Sequence, residues 1–244
     1  MHRLTRPGRD VLIRTVRLAR AELSLVLTMF IVGAGLWAFV GLAGEVNEGE
    51  TETFDRAVIL ALRNPVDVSD PLGPLWFEEA VRDVTALGGT TVLTLMTFAV
   101  IGFLLLIRKW GAALLVFASV AGGTLIGSLL KLFFERSRPD LVPHGAEVYT
   151  ASFPSNHAML SAVTYLTLGA LLARLEVDRR VKGYFLAISV LLTVLVGLSR
   201  VYLGVHWPTD VLAGWSLGAA WAMAVWLVAL WLQWRGKVEQ IGAP

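Results

Sequence analysis

The chain contains no cysteine, which excludes disulfide bonds, thiol catalysis and cysteine metal sites. Charged residues are also scarce: they make up 16% of the 244 residues, whereas soluble domains usually carry about 25%. Blocks of basic residues interleaved with aromatic residues, which would suggest nucleic-acid binding, are absent as well. Hydrophobic residues instead make up 56% of the chain, and the mean hydropathy is +0.67. These values predict an all-α integral membrane protein that forms a single domain over residues 1–244 and has no nucleic-acid partner.

Six apolar runs approach or exceed the length that a membrane-spanning helix needs, which is about 20 residues. They predict a six-helix bundle with both chain termini on the same side of the membrane. The runs are Leu23–Leu42, Ala86–Ile107, Ala112–Phe134, Ala158–Leu175, Tyr184–Leu203 and Val211–Trp234.

Basic residues are concentrated at one end of these spans. Six arginines lie in the first 20 residues, and further basic residues occupy the turn after the second span, the loop after the fourth and the segment after the last. Residues 45–83, in contrast, contain ten acidic and three basic residues. Because cytoplasmic ends of spans are rich in lysine and arginine, residues 1–21 are predicted to be a basic cytoplasmic tail, and both termini to be cytoplasmic. A multi-pass protein of the plasma or inner membrane is expected.

Residues 44–85 are predicted to form an extracytoplasmic loop with two short amphipathic helices. One contains Phe54, Val58 and Leu62, and the other covers residues 74–87. Both are too short and too charged to span the bilayer. They could lie in the membrane interface or form an ordered cap on the bundle, and the sequence favours neither alternative.

Three polar segments within residues 131–210 lie at the ends of the apolar runs, and the topology places all of them on the extracytoplasmic side. The first contains Lys131, which either extends its ammonium group to the interface or binds an anion. Arg138 follows seven residues later, two turns on if the helix continues to Pro139, and its guanidinium group suits two phosphate oxygens. Arg136 is expected to lie on a different face, in contact with solvent or lipid headgroups.

The second segment is Pro154-Ser155-Asn156-His157, directly before an apolar helix. Ser155 or Asn156 is a natural N-cap, and the free N–H groups of a helix N-terminus attract phosphate. His157 would lie in the first turn and point toward a bound phosphate. Capping alone would also explain Ser155 and Asn156.

The third segment runs from Ser199-Arg200 to Asp210. A helix that starts near Pro208 would bring His206 close to Asp210, four residues later. A carboxylate that accepts a hydrogen bond from one imidazole nitrogen leaves the other nitrogen free as a nucleophile. The pair could also be half of a metal site, but the chain lacks the additional histidines and carboxylates that such a site needs. We therefore expect no metal and no other cofactor.

These segments resemble the motifs of the type 2 phosphatidic acid phosphatase superfamily, which also includes the vanadium haloperoxidases and bacterial acid phosphatases. The family motifs are Lys-x6-Arg-Pro, Pro-Ser-Gly-His and Ser-Arg-x5-His-x3-Asp. The spacing of the first and third motifs matches fully at residues 131–139 and 199–210. In the second motif, Asn156 replaces the usual glycine but retains the backbone N–H group.

The resemblance implies a role for each matched residue. His206 is expected to be the nucleophile, Asp210 its orienting partner, and His157 the general acid that protonates the leaving group. No metal is expected, as in the family. The phosphate-binding residues implied by the resemblance are Lys131, Arg138, Ser155, Asn156 and Arg200.

The expected function is hydrolysis of a lipid phosphomonoester or pyrophosphate through a phosphohistidine intermediate. Candidate substrates are phosphatidate, phosphatidylglycerophosphate, polyprenyl pyrophosphate and lipid A phosphate. One alternative is a phosphotransferase that uses a second lipid as the acceptor, and another is a non-catalytic lipid-binding or transport protein. The expected partners are the lipid phosphate and the bilayer, and no obligate protein partner is inferred.

Overall fold

The computed structural model describes residues 7–141 and 150–235, and eight α-helices account for the regular secondary structure of these residues. The predicted all-α class is confirmed. The helices are α1 (Pro7–Glu48), α2 (Glu52–Ala61), α3 (Leu75–Ala86), α4 (Thr90–Leu106), α5 (Trp110–Phe133), α6 (Asn156–Leu175), α7 (Arg179–Tyr202) and α8 (Pro208–Trp234).

Five helices are long and apolar enough to cross a membrane: α1 from Leu25 onward, α5, α6, α7 and α8. Helices α3 and α4 pass the same test only as a pair, bent by 47° at the break between them. The described residues thus contain five candidate spans, or six when the bent pair counts as one. Each overlaps one of the six predicted runs, but the second run, predicted as continuous over Ala86–Ile107, contains the break before Thr90. Gly88 lies at the break, where a methyl group would meet the side chain of Val196 in α7 at 2.2 Å.

Helix α1 extends beyond the predicted first span in both directions. It begins at Pro7, inside the segment predicted as a tail, and it ends at Glu48, inside the segment predicted as a loop. The extension is compatible with the sequence because arginine and glutamate are good helix formers and helical residues outside the bilayer need not be apolar. Residues 1–6 of the predicted tail lie outside the described residues.

The two amphipathic helices of the first loop are both present, but they are placed differently. Helix α2 packs on the beginning of α8, with Asp55 and Ile59 fully buried, and thus forms an ordered cap. Helix α3 has no buried residue, and Leu75 and Trp76 are exposed, which suits a position in the membrane interface.

Helix α6 is the central helix of the bundle. In its apolar window 67% of the residues are buried, compared with 6% in α1. Glycines allow α8 to approach it closely: a methyl group at Gly214 would lie 2.7 Å from the carbonyl oxygen of Ser155, and one at Gly218 would lie 2.5 Å from that of Met159. This contact holds the beginning of α6 against the beginning of α8.

The chain leaves α5 earlier than the sequence analysis assumed. The helix ends at Phe133, and residues 134–140 are not helical, so Lys131 and Arg138 do not share a helix face. Pro139 disfavours helical angles at the residue before it, which is consistent with this early end. As a result, residues 134–140 cross the end of the bundle where α6 and α8 begin and α7 ends.

Candidate active site

The histidine–aspartate pair forms at the start of α8, which begins at Pro208 as predicted. The distance from His206 Nδ1 to Asp210 Oδ2 is 3.4 Å, and both side chains are buried. Asp210 also accepts hydrogen bonds from the backbone N–H of Trp207, at 3.0 Å, and from the hydroxyl of Ser152. The carboxylate is therefore fixed in the first turn of the helix, beside the Nδ1 side of the imidazole.

The other ring nitrogen of His206 faces a cation. Its Nε2 lies 3.1 Å from the guanidinium of Arg138. Burial lowers the pKa of His206 to about 4, against the opposing effect of Asp210, and the nearby Arg138 and Arg200 lower it further. The imidazole is thus neutral at neutral pH. Because Asp210 accepts a hydrogen bond from Nδ1–H and the guanidinium of Arg138 donates to Nε2, the lone pair is on Nε2.

Three cations from separate parts of the chain lie near the two histidines, and one of them, Arg138, contacts Nε2 of His206. Lys131 donates to the carbonyl oxygen of Ala151, and Arg138 donates to the carbonyl oxygens of Thr150 and Val205. Arg200 donates to the Thr85 hydroxyl at 3.0 Å.

Arg200 still has an unused donor. Its Nε is buried and has no hydrogen-bond partner in the part of the chain that the structure describes. A buried donor without a partner is unfavourable, so this group is suited to an anionic ligand. His157, in the first turn of α6, lies within electrostatic range of Arg200, Arg138, Lys131 and His206. Both histidines and all three cations therefore share one site.

The segment before α6 is held by packing and by capping. Phe153 is fully buried between Phe39 and Phe134, at ring-centroid distances of 5.8 and 4.8 Å. Ser155 is the N-cap: its hydroxyl accepts from the N–H of Ala158, and its own N–H donates to the Asp210 carbonyl at 3.0 Å. These contacts place the N-terminus of α6 beside the His206–Asp210 pair.

The side chain of Asn156 points away from this pair and toward α5. A methyl group at Gly127 would lie 2.9 Å from its Oδ1 atom. This oxygen is buried and has no hydrogen-bond partner within the described residues. Of the two polar parts of Asn156, the backbone N–H is therefore the one available to a phosphate at the start of α6.

Sequence analysis missed one group of residues at the site, and its expectation for Arg136 is wrong. Only 16% of the Arg136 side chain is exposed, and its guanidinium forms ion pairs with Asp55 and Asp210, each at 2.6 Å. The early end of α5 is the reason, because it turns Arg136 inward. Asp55 also accepts from the N–H and the hydroxyl of Thr209. A signal was present, since Asp55 shares a helical face with apolar Val58, Ile59 and Leu62.

Within residues 7–141 and 150–235, no three His, Asp or Glu side chains come together in a way that could hold a metal ion. An apolar groove of about 530 Å³ lies at the same end of the molecule, between α2, α3 and α7. Its lining includes Val58, Val84, Leu198 and Ser199, the last of which directly precedes Arg200.

Comparison with known proteins identifies the family. The PAP2 superfamily model matches residues 112–234, about half of the chain. Phosphatidylglycerophosphatase B of Bacillus subtilis is 33% identical over 181 residues, which cover 74% of this chain and 85% of that protein. The chain belongs to the PAP2 superfamily.

Two further similarities agree with this assignment. The crystal structure of a transmembrane PAP2-type phosphatidylglycerolphosphate phosphatase from Bacillus subtilis matches with a TM-score of 0.71 and 28% identity, over 86% of this chain and 98% of that one. A lipid A 1-phosphatase of Rhizobium johnstonii is 30% identical over 129 residues, 49% of this chain and 48% of that protein.

The resemblance seen in the sequence motifs is therefore confirmed. The protein is an integral, multi-pass membrane lipid phosphatase with the PAP2 transmembrane fold, and lipid phosphates are its class of substrate.

Proposed function

We propose that this phosphatase hydrolyses a lipid phosphomonoester or pyrophosphate without a metal ion, through a phosphohistidine at His206. The observation that carries the proposal is the position of His206, whose Nδ1 faces Asp210 and whose Nε2 faces Arg138. A neutral imidazole held in this way presents the lone pair of Nε2 to the site of the three cations. The whole chain, residues 1–244, is taken as one catalytic domain with its site residues in 131–210.

In the first step, Nε2 of His206 attacks phosphorus and the bond to the leaving oxygen breaks. His157 donates a proton to this oxygen. Before the transfer, the negative charge of the bound phosphate stabilises the protonated imidazole of His157. In the second step, His157 takes a proton from water, the water oxygen bonds to phosphorus, and the bond from phosphorus to Nε2 breaks. Asp210 stabilises the positive charge on the phosphorylated ring.

The charge on the transferring phosphoryl group is stabilised by residues that are already in place. Lys131, Arg138 and Arg200 supply three positive charges, and the start of α6 supplies the hydroxyl of Ser155 and the backbone N–H of Asn156. Phosphoryl transfer depends mainly on such positioning and charge stabilisation. Because these cations can supply that charge, we expect the activity to persist in EDTA. Strong inhibition by EDTA would contradict metal independence.

Phosphatidylglycerophosphate is the first substrate to test, because the relative that bears this activity in its name aligns with most of both chains. The apolar groove beside Ser199 offers a place for a hydrocarbon chain near the polar site, which supports a lipid rather than a soluble phosphate ester. A panel of phosphatidylglycerophosphate, phosphatidate, undecaprenyl pyrophosphate and lipid A phosphate should show one substrate with the highest kcat/KM.

His206→Ala is the decisive variant for the mechanism. We expect phosphate release to fall by about 10³-fold or more, because the nucleophile is lost, while the protein still inserts and elutes as a folded species. Turnover at the wild-type rate would contradict the assignment of His206. Trapping of acid-labile, base-stable phosphoprotein from radiolabelled substrate, absent in His206→Ala, would identify the intermediate.

A phosphotransferase that uses the same residues is the alternative. It differs only in the second step, where a lipid hydroxyl replaces water as the acceptor. Release of stoichiometric inorganic phosphate by the purified protein with a single lipid would establish hydrolysis. Phosphate release that requires no second lipid, together with an absence of phosphorylated acceptor lipids in mixed vesicles, would exclude transfer.

We further propose that both termini are cytoplasmic and that the site faces the extracytoplasmic side. The absence of cysteine permits a direct test with single-cysteine variants. Val66, between α2 and α3, and Val177, between α6 and α7, are 94% and 93% exposed. A membrane-impermeant maleimide should label Val66→Cys on intact cells and Val177→Cys only after permeabilisation. The reverse pattern would contradict the orientation.

A further inference from the structure

Three charged side chains from distant parts of the sequence form a buried network behind His206. The guanidinium of Arg136 bridges the carboxylates of Asp55 and Asp210, with N–O distances of 2.6 Å to each. It also donates to the hydroxyls of Thr209 and Thr51, at 2.8 and 3.1 Å. Both carboxylates are completely buried. The network connects α2 in the first loop to the first turn of α8.

The charges in this network do not cancel. Two buried carboxylates share a single guanidinium, which leaves one negative charge in excess, and a buried charge without compensation is unfavourable. Asp210 Oδ2, the oxygen that Arg136 does not contact, accepts from the Ser152 hydroxyl and the Trp207 N–H, and the only ionisable group that it faces within hydrogen-bond distance among the described residues is Nδ1 of His206, at 3.4 Å. The excess charge is therefore directed at the imidazole.

Asp55 determines how much of the Arg136 charge acts on Asp210. With Asp55 present, the guanidinium divides its hydrogen bonds between two carboxylates. Without it, the full positive charge would act on Asp210 and weaken the attraction of that carboxylate for the imidazole. Asp55 also accepts from the backbone N–H of Thr209, at 3.0 Å, and so fixes the helix turn that carries Asp210.

We propose that Asp55, acting through Arg136, is a positioning residue that keeps Asp210 oriented and negatively charged toward His206. The inference rests on the proposed role of His206 as the nucleophile. It makes the amphipathic helix α2 a functional part of the site. Neither Asp55 nor Arg136 belongs to the three sequence motifs as defining residues, and neither touches the side of His206 that faces the substrate.

The test compares two inhibitors that depend on different parts of the site. Inorganic phosphate is held by the cations, whereas vanadate also bonds to the nucleophile and imitates the pentacoordinate transition state. In Asp55→Asn we expect the inhibition constant for vanadate to rise by about tenfold and kcat to fall by a similar factor. The inhibition constant for phosphate should stay unchanged. A smaller fraction of folded enzyme would lower kcat but would alter neither inhibition constant.

Glu52→Gln is the matched control. Glu52 lies on the same helix and undergoes the same change in charge, but its side chain is 68% exposed. It should retain the wild-type values of kcat and of both inhibition constants. Arg136→Lys is the second test variant, because lysine keeps the charge but cannot bridge two carboxylates in the same geometry. It should also lose affinity for vanadate selectively.

The outcomes separate this inference from the proposed function. Equal changes in both inhibition constants, or wild-type constants in Asp55→Asn and Arg136→Lys, would overturn it. Loss of folded protein in both variants would also overturn it, since the network would then serve the fold. Turnover by His206→Ala would instead refute the proposed function. An inactive His206→Ala beside an unaffected Asp55→Asn would refute only the role of Asp55.

Discussion

The two sides of His206 differ in how their charges are compensated. On the Nδ1 side, Arg136 is paired with two carboxylates, and the protein satisfies these groups itself. On the Nε2 side, Lys131, Arg138 and Arg200 contact carbonyl and hydroxyl oxygens, and none of them forms an ion pair within the described residues. A buried cation without a carboxylate partner is the place where an external anion gains most. The pairing pattern thus distinguishes Arg136, whose charge is balanced by carboxylates of the protein, from Arg138 and Arg200, which have no carboxylate partner among the described residues.

Among the substitutions that compare the two sides of His206, removing a cation from the Nε2 side should produce the largest effect. For Arg200→Gln we expect kcat/KM to fall by about 10²–10³-fold, because a charge that stabilises the transferring phosphoryl group is lost. Inhibition by phosphate and by vanadate should weaken together, unlike in Asp55→Asn. Arg82→Gln, in which an exposed arginine loses its pair with Glu78, should have wild-type activity. If Arg200→Gln weakened inhibition by vanadate but not by phosphate, the proposed difference between the Nδ1 and Nε2 sides of His206 would be wrong.

The pKa of His206 shows whether burial and the cations, which lower it, have a larger effect than Asp210, which raises it. Burial and the cations should hold it at about 4, below the usual 6.5, although Asp210 opposes them. In ¹⁵N-histidine NMR spectra of the detergent-solubilised protein, the resonance assigned through His206→Gln should not titrate between about pH 5.5 and 8. A midpoint near 6.5 would show that the effect of Asp210 fully offsets the effects of burial and of the cations on the pKa.

The same pKa shift has a consequence for stability. Between pH 6.5 and about 4, the unfolded chain binds a proton that native His206 does not. The contribution of this residue to stability is therefore constant above this range and decreases as the pH falls through it. The melting temperature of His206→Gln should vary less than that of the wild type over the same interval.

The position of the start of α6 beside the His206–Asp210 pair depends on the contact between α6 and α8. A methyl group at Gly214 would meet the Ser155 carbonyl at 2.7 Å, and backbone atoms cannot move aside cheaply. We expect Gly214→Ala to destabilise the protein by about 1–3 kcal/mol and to lower activity, as measured by thermal unfolding and phosphate release.

Gly102→Ala in α4 provides the control for this substitution. No atom lies within 4 Å of the added methyl group, and alanine favours a helix over glycine by about 1 kcal/mol. This variant should be as stable as the wild type or more so. Similar behaviour of the two variants would show that the close contact at Gly214 is unimportant.

Asn156→Gly should produce the smallest change. The side chain of Asn156 points at Gly127 rather than at the pair, so its removal leaves the backbone N–H in place. We expect activity close to that of the wild type. Gly127→Ala should lower the melting temperature less in the Asn156→Gly background than in the wild type, because the added methyl group no longer meets Asn156 Oδ1. A double-mutant cycle of melting temperatures measures this difference. A large loss of activity in Asn156→Gly alone would assign the side chain a direct role.

The sequence predicted the parts of this site that depend on local order. The N-cap at Ser155 and the helix start at Pro208 follow from short-range patterns, and both are present. The spans follow from hydropathy, because a bilayer requires a minimum apolar length. The match to the family motifs predicted that residues of three separate segments form one site, although the motifs contain no information about how the helices pack.

The Nδ1 side was not predictable in the same way. Asp55 and Arg136 are 81 residues apart, and no local rule pairs them. An acidic residue on a short amphipathic helix is usually solvated, so the burial of Asp55 was not expected. If α5 continued to Arg138, Arg136 would lie on an outer face of the helix, and this is why it was expected to be solvated. The apolar neighbours of Asp55 showed which face of α2 is buried, but they did not show which surface covers it.

The connection of α2 to α8 also determines when the site can form during biosynthesis. Asp55 follows the first membrane helix, whereas its partners Thr209 and Asp210 begin the last. Helices α1 to α7 are therefore synthesised before this contact is possible. A product truncated before α8 would have the three cations but no Asp210, so under the proposed mechanism the site is complete only after the start of α8 has been synthesised.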